Sequence, residues 1–428
     1  VKLVKTMRYQ IIKPLSCDWD TLGTVLRELQ RDTHSVLNKT IQLCWEWQGY
    51  SSEYKAANGT YPTPKDTLGR SLEGYVYDRL KVQFPKMYTP NLSQTIQRAM
   101  LKWSADSKAI FKGEVSIPSY KKDVPLDLRK DSIHIERRGH DYILSLGLVS
   151  RAYKKELGLP ECQIEVLIGT PDKTQRVILA RLLTGEYTVS GSQIVWDKRN
   201  RKWFVNLAYH FEARPEQLDK TKILGVDLGV VFPVYMAVAD GHFRAGIPGG
   251  EIEEFRRRVE ARRRQLLRQG KYCGDGRIGH GRATRTRPLD KIADKIARFR
   301  DTINHKYSRY VVETARKLGC GVIQMEDLTG IREENLFLAN WPYHDLQRKI
   351  EYKAREYGIE VRYVRPQYTS QRCSDCGYIH PDNRPEQAKF RCLACGFETN
   401  ADYNAARNIA TEGIEELIAA ALNKASVV

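Results

Sequence analysis

The chain contains no run of 18 apolar residues and no basic amphipathic terminal helix that stands out, which argues against a membrane surface as its partner. Its first ten residues, VKLVKTMRYQ, are too polar for the apolar stretch of a secretory leader, so a cytoplasmic protein is expected. No internal repeat or low-complexity tract is present, which excludes an array of stacked repeats. Acidic residues are in deficit, with 52 Asp+Glu against 70 Lys+Arg and a formal net charge of +18. A field of one sign on this scale implies a polyanionic partner, nucleic acid in preference to a membrane. Cysteine is sparse as well. Of the nine, Cys17, Cys44, Cys162, Cys273 and Cys320 are scattered and read as reduced, partly buried small hydrophobes. The other four are clustered and need a separate explanation.

At 428 residues the chain is long enough for two to four structural units. Residues 1–13 alternate like a strand. From Trp19 to Gly49, Leu22, Val25, Leu26, Leu29, Val36, Leu37, Ile41 and Leu43 recur at helical spacing. A loop over roughly 50–66 leads to helical stretches near 66–82 and 91–112, so residues 16–114 read as a helical unit. From about 115 the period changes to two, through IHIER, DYILSLGLVS, QIEVLIGT, YTVSGSQIVW and KWFVNLAYHF, with a hairpin turn at Asp197 to Asn200. Residues 1–15 and 115–211 therefore read as one β-barrel or sandwich into which the helices are inserted. Polar residues 212–222 read as a linker. Beyond them come three strands in meander from Ile223, basic helices over 250–269 and 290–318, a buried strand over 322–328, a helix over 342–357 and a strand over 359–364. This is the element order of an RNase H-like α/β core, spanning 223–370 and 398–428. The chain as a whole is multidomain α+β.

The clustered cysteines stand as Cys373-x2-Cys376-x15-Cys392-x2-Cys395, with Gly377 and Gly396 after each pair. This is the spacing of a four-thiolate zinc site, saturated and therefore structural, within a ribbon over 371–397. The bland alternative is two redox dithiols, for which a thioredoxin-like context is missing. His380 reads as a surface residue. Three carboxylates form a second constellation: Asp227 in ILGVDLGV, Glu326 in VIQMEDL and Asp402 in TNADYNAARNIA. A carboxylate on a buried strand is costly unless paired or metal-bound, so Asp227 and Glu326 call for a cation. Asp402 opens a helix and has a capping alternative. Of the neighbours Glu326 and Asp327, only one can face a given side of a strand, and Glu326 is favoured. Phosphodiester hydrolysis by two Mg²⁺ ions would use such hard oxygen ligands. Residues 251–300 hold 16 Lys+Arg and 7 Asp+Glu, including Arg256–Arg258 and Arg262–Arg264. Charge runs are usually a solvated face, but beside a metal site they suit phosphate contact. The Gly/Arg-rich loop 270–289 is a candidate lid over single-stranded substrate.

The succession GVDLG, MEDL, SQRCSDCG, CLACG and NADYNAARNIA resembles the RuvC domain of transposon-encoded TnpB proteins and of the type V CRISPR nucleases. The N-terminal run MRYQIIKPL, NLSQTIQRA and SIPSYKKDVPLDL is similar to the miniature type V-F members. The resemblance implies a prokaryotic RNA-guided DNA endonuclease of antiviral defence, with Asp227, Glu326 and Asp402 as catalytic Mg²⁺ ligands and Arg384 assisting. It implies a zinc ribbon at Cys373, Cys376, Cys392 and Cys395, inserted before the last aspartate. Residues 16–114 would be a recognition domain, and residues 1–15 with 115–211 a wedge domain. The partners implied are guide RNA, target DNA and a second copy in an asymmetric homodimer on one guide. Sequence specificity would lie in guide pairing, with the protein reading a short flanking motif. Three other readings compete: a TnpB with a transposon-derived guide, a guide-free resolvase or transposase, and a non-cleaving DNA-binding relative. An intact triad argues against the last. The ribbon and some 220 residues ahead of Asp227 argue against a resolvase.

Overall fold

The computed structural model describes residues 2–159, 163–198, 200–213, 215–229, 231–271, 288–328 and 343–425. Cys162, Cys273, Arg199 of the expected hairpin turn and residues 272–287 of the candidate lid lie outside them. The chain divides into two units, Val1–Glu212 and Ala213–Val428. No helix among the described residues is long and apolar enough to cross a membrane.

The first unit contains strands β1 (Lys2–Pro14), β2 (Leu126–Leu128), β3 (Ile133–Arg138), β4 (Asp141–Leu146), β5 (Ile164–Gly169), β6 (Thr188–Val189), β7 (Ser192–Asp197) and β8 (Lys202–Glu212). They form one antiparallel sheet, ordered β2-β7-β8-β1-β5-β4-β3, with β6 also on β8. The N-terminal strand thus pairs with segments more than 150 residues later, Gln10 lying between Phe204 and Gly169. Helices α1 (Trp19–Asn58), α2 (Pro64–Leu68), α3 (Leu72–Gln83) and α4 (Thr89–Phe111) fall between β1 and β2 in the chain. Asp18 caps α1 by accepting the Thr21 amide at 2.7 Å. The apolar stripe through Leu22, Val25, Leu26 and Leu29 shares a core with Tyr9, Leu92, Ile96, Leu144 and Val205. The helix runs nine residues beyond Gly49 and stops where Gly59 takes a left-handed conformation (φ 75°). Tyr50 to Asn58 contains no proline or glycine to end it sooner.

Two helices interrupt the stretch expected to be all strand, α5 (Arg151–Glu156) and α6 (Lys173–Leu183). At α6 the signal was local: Asp172 and Gln175 form a reciprocal capping box, and Ile178 and Leu179 bury one face. A short helix with two buried residues is easily lost in a window dominated by strand alternation.

The second unit holds a five-stranded mixed sheet of β9 (Asp219–Asp227), β10 (Val234–Val238), β11 (Arg244–Ile247), β12 (Cys320–Glu326) and β13 (Glu360–Val364). Its order is β11-β10-β9-β12-β13. The first three strands meander antiparallel, and β12 runs parallel to both β9 and β13. This is the RNase H-like arrangement. Strand β9 begins at Asp219 rather than Ile223: residues 219–222, expected in a linker, are exposed but Asp219 pairs with Cys320. The helices are α7 (Gly250–Lys271), α8 (Pro288–Lys317), α9 (Tyr343–Tyr357), α10 (Ala401–Ile409) and α11 (Ile414–Ala425). On one face of the sheet, Leu224, Val226, Ile323 and Met325 pack with Tyr307 and Val311 of α8 and Leu346 and Ile350 of α9. Fully burying such a side chain is worth about 1.5–3 kcal/mol.

The residues between these, Gly225 and Gln324, point to the opposite face, where α10 lies. A Cβ on Gly225 would land on the Ala406 carbonyl oxygen and 2.5 Å from the Ala410 nitrogen, both backbone atoms. Helix and strand are in contact there because this position has no side chain. Gly225→Ala is therefore expected to destabilise the second unit by about 3 kcal/mol, the upper range for overpacking. Chemical denaturation followed by far-UV circular dichroism checks this, an unchanged midpoint counting against the packing described.

Candidate functional site

The parallel register of β9 and β12 sets Gly225 beside Gln324 and Val226 beside Met325, so the next residues, Asp227 and Glu326, are neighbours at the carboxyl ends of their strands. Both share parity with the face that carries α10. Gln324 confirms the direction, its Nε2 donating to the carbonyls of Ile409 at 2.7 Å and Thr411 at 3.2 Å. Helix α10 opens this face with Asp402 in its first turn. The capping alternative for Asp402 is taken by another residue: Asn400 is the N-cap and accepts the Tyr403 amide at 3.0 Å. Asp402 is left to line a cavity of about 320 Å³ together with Asp227, Glu326, Thr369 and Arg384. All three sequence-predicted carboxylates and the arginine are thus brought to one place, Arg384 Nη2 standing 3.9 Å from Asp402 Oδ1.

Burial, then the negative charges of Glu326 and Asp402, hold the Asp227 carboxyl well above the usual carboxylate range, against the pull of Arg384 and the Leu228 amide. Burial also raises Glu326, against a hydrogen bond from Thr369 and the charge of Arg384, and raises Asp402 against Arg384. Among the described residues lining the cavity, Arg384 is the one cation. Three carboxylates in such surroundings can ionise together only with more positive charge between them, and hard oxygens suit a divalent cation. The residues present fit one.

The four cysteines bring their sulfurs within 4.8 Å of one another, the one group of three or more metal-ligating side chains so close among the described residues. Two turns of the same design present them. In each, the first cysteine's amide bonds a carbonyl five residues on (Cys373 to Tyr378, 2.8 Å; Cys392 to Phe397, 2.9 Å). The glycine after the second cysteine donates back (Gly377 to Cys373, 2.9 Å; Gly396 to Cys392, 3.0 Å). Gly377 (φ 80°) and Gly396 (φ 75°) supply the left-handed backbone this requires. Burial pushes the Cys373 thiol up to about 12. Burial also opposes ionisation of Cys392, but the amides of Cys395 and Ala394 and the neighbouring thiols bring it down to about 7. A bound metal would draw all four to thiolate. His380 caps a short turn, its Nδ1 accepting the Asp382 amide at 3.2 Å, and is no part of the cluster.

The polar residues that hold these groups were missed in the sequence. Buried Asn383 clamps the two turns, donating to the carbonyls of Gln371 (2.9 Å) and Tyr378 (3.2 Å) and accepting the Leu393 amide (3.0 Å). Asn404 and Asn408 of α10 are also fully buried and bind the segment leading to Cys373. The available signal was their one-turn spacing on an alanine-rich helix, since asparagine is a poor interior helix residue. On α7, Arg256 and Arg258 pair with Glu260 and Glu254. Arg257, Arg262, Arg263 and Arg264 are exposed.

Residues 343–409 match the family described as Cas12f1-like, TNB domain. Over 421 residues the chain is 52% identical to the CRISPR-associated endodeoxyribonuclease Cas12f1 of Sulfoacidibacillus thermotolerans, spanning 97% of this chain and 99% of that protein. The Cas12f1 of Syntrophomonas palmitatica is 37% identical over 399 residues, 84% of this chain and 80% of its own. Among solved structures, a Cas12f1–sgRNA–target DNA complex superposes with a TM-score of 0.72 at 19% identity, covering 96% of this chain and 99% of that one. At that identity the likeness is one of fold.

Cys376→Ser, or a strong chelator, is expected to release one equivalent of metal and lower the melting temperature. A structural metal site adds directly to folding free energy. Elemental analysis and differential scanning calorimetry check this; unchanged melting after chelation would count against a structural metal.

Proposed function

The chain belongs to the Cas12f1 family of CRISPR-associated endodeoxyribonucleases, and from that footing we propose that it is itself an RNA-guided endonuclease that hydrolyses target DNA at a single site. The convergence of Asp227, Glu326, Asp402 and Arg384 on one cavity, in a chain related along nearly its whole length to such enzymes, carries this reading. Near-full-length identity of 52% favours a CRISPR guide over a transposon-derived one. Asp227, Glu326 and Asp402 are the residues that would hold two Mg²⁺ ions. When bound, these supply charge stabilisation to the attacking and leaving oxygens of the phosphodiester. The carboxylates orient that centre, and Arg384, partly exposed beside Asp402, offers its guanidinium to a non-bridging phosphate oxygen.

Cys373, Cys376, Cys392 and Cys395 would hold Zn²⁺ as four thiolates, a structural rather than a reactive role. The exposed arginines of α7 supply part of the field that draws the nucleic acid. Residues 1–15 and 115–211 serve as the wedge, residues 16–114 as the recognition domain, and residues 223–370 with 398–428 as the RuvC nuclease core around the ribbon at 371–397. Two copies share one guide RNA asymmetrically.

Asp227→Ala is expected to lower plasmid cleavage at least about 10³-fold, since several kcal/mol of transition-state stabilisation are lost at tenfold per 1.36 kcal/mol. Binding of guide and target, followed by gel shift, should persist. Cleavage at the wild-type rate would refute the site. Sequencing the RNA that copurifies tests the guide: repeat plus spacer is expected, and a chain that carries no RNA would overturn the reading.

A further inference from the structure

Glu326 is gripped at two points. Its carbonyl oxygen accepts from Gln347 Nε2 at 2.7 Å, which fixes the end of β12. Its carboxylate Oε1 accepts from the Thr369 hydroxyl at 2.5 Å. Thr369 is 1% exposed, so no bulk water substitutes for that hydroxyl, and its β-branched side chain is stiff about χ1. The hydroxyl also lies 2.9 Å from the Pro366 carbonyl oxygen. It has one proton to give, and an ionised carboxylate is the stronger acceptor.

Thr369 is in turn held by the helix that carries Asp402. Asn408 Nδ2 donates to the Thr369 carbonyl at 2.8 Å and to that of Arg372 at 2.7 Å, and its Oδ1 accepts from Arg372 Nη1 at 2.8 Å. One turn earlier, Asn404 donates to the same Arg372 carbonyl at 2.8 Å and accepts the Ser374 amide at 2.9 Å. A single helix therefore delivers one carboxylate directly and restrains another through Thr369.

We propose that Thr369 is a positioning residue, whose hydroxyl, set in place by Asn408, fixes the orientation in which Glu326 presents its carboxylate to the divalent cation. Glutamate has three side-chain torsions, and ordering such a side chain costs conformational entropy. A hydroxyl on Oε1 meets that cost before the cation arrives and leaves Oε2 for it. Groups in this relation to a metal ligand change affinity or activity about 10- to 100-fold when removed. The proposal rests on the reading of Glu326 as a metal-binding carboxylate.

The test compares Thr369→Val, which keeps shape and loses the hydroxyl, with Thr369→Ser, which keeps the hydroxyl. Zinc content and melting temperature are first matched to wild type, so that an unfolded ribbon is not mistaken for the effect. Mn²⁺ binding to the protein without nucleic acid is then measured from the electron paramagnetic resonance of free Mn²⁺. The Mg²⁺ concentration at half-maximal cleavage is measured on the guide complex. The valine variant should weaken both about 10- to 100-fold, and serine should restore both. Valine binding Mn²⁺ as tightly as wild type, or serine as weak as valine, would overturn the proposal. If the valine variant fails to load zinc, Thr369→Ala takes its place with the same two outcomes. Glu326→Gln separates this from the underlying assignment. If it leaves Mn²⁺ binding and cleavage intact, the site reading fails. If it abolishes both while the hydroxyl-free variant has no effect, only the role of Thr369 falls.

Discussion

Asp227, Glu326 and Asp402 repel one another in a largely desolvated cavity, and folding must bring them together against that repulsion. Nothing within the triad favours its assembly: burial and like charge both oppose ionisation, and Arg384 at 3.9 Å from Asp402 offsets only part of it. The force must come from packing elsewhere. It is supplied by the opposite face of the sheet, where Leu224, Val226, Ile323 and Met325 alternate with the residues that lead to the acids. The strands' two-residue period links the two faces, so a register favoured by the core places the carboxylates side by side. The repulsion that remains is what a cation would relieve, and the strain and the proposed chemistry then share one origin.

Asp402 comes from a different element and needs its own restraint. Helix α10 has nine residues, too few to persist alone in water. It is held by close approach at Gly225, by Gln324 reaching the carbonyls at its end, and by Asn404 and Asn408 gripping the segment that enters the ribbon. All but the first are hydrogen bonds to buried main-chain groups, each costly to leave unmade. Polar side chains accordingly do here what apolar ones do for the strands.

This division explains what was legible. The strands of the second unit were legible as short apolar runs, and their arrangement from the succession of three meandering strands and then alternating helices and strands. The sulfurs of the four-cysteine group lie together because a CxxC with a following glycine folds locally into its own turn. The grouping of Asp227, Glu326 and Asp402 was expected from their motifs and Arg384 from the family resemblance, but the capping of α10 by Asn400 was not expected, since Asn400 and Asp402 are both good helix-start residues. Thr369 and Asn383 carried no signal that distinguished them from surface residues, and Asn404 and Asn408 only their one-turn spacing on an alanine-rich helix. Their meaning lies in carbonyls supplied by distant segments, and hydrogen bonds of that kind leave no periodicity. The helix α6 was hidden for the opposite reason, a local signal overlooked within a longer strand-like stretch.

The ribbon's place in the chain follows from the same weakness of α10. An aspartate in the first turn of a short helix sits where the helix frays most readily. The strand pair β14 (Lys389–Arg391) and β15 (Glu398–Asn400) ends at Asn400, one residue before that helix, with Lys389 opposite Asn400. The Ala401 amide adds a bond to the Ala388 carbonyl at 3.0 Å. Both strands lie between or beside the cysteines, so a metal that closes the four sulfurs also fixes the strand pair, and the strand pair fixes the first turn of α10. Asp402 is thereby set by the ribbon at its start and by Gly225 and Gln324 at its end, while helix propensity contributes little. A metal held by the four sulfurs would in this way govern where Asp402 stands.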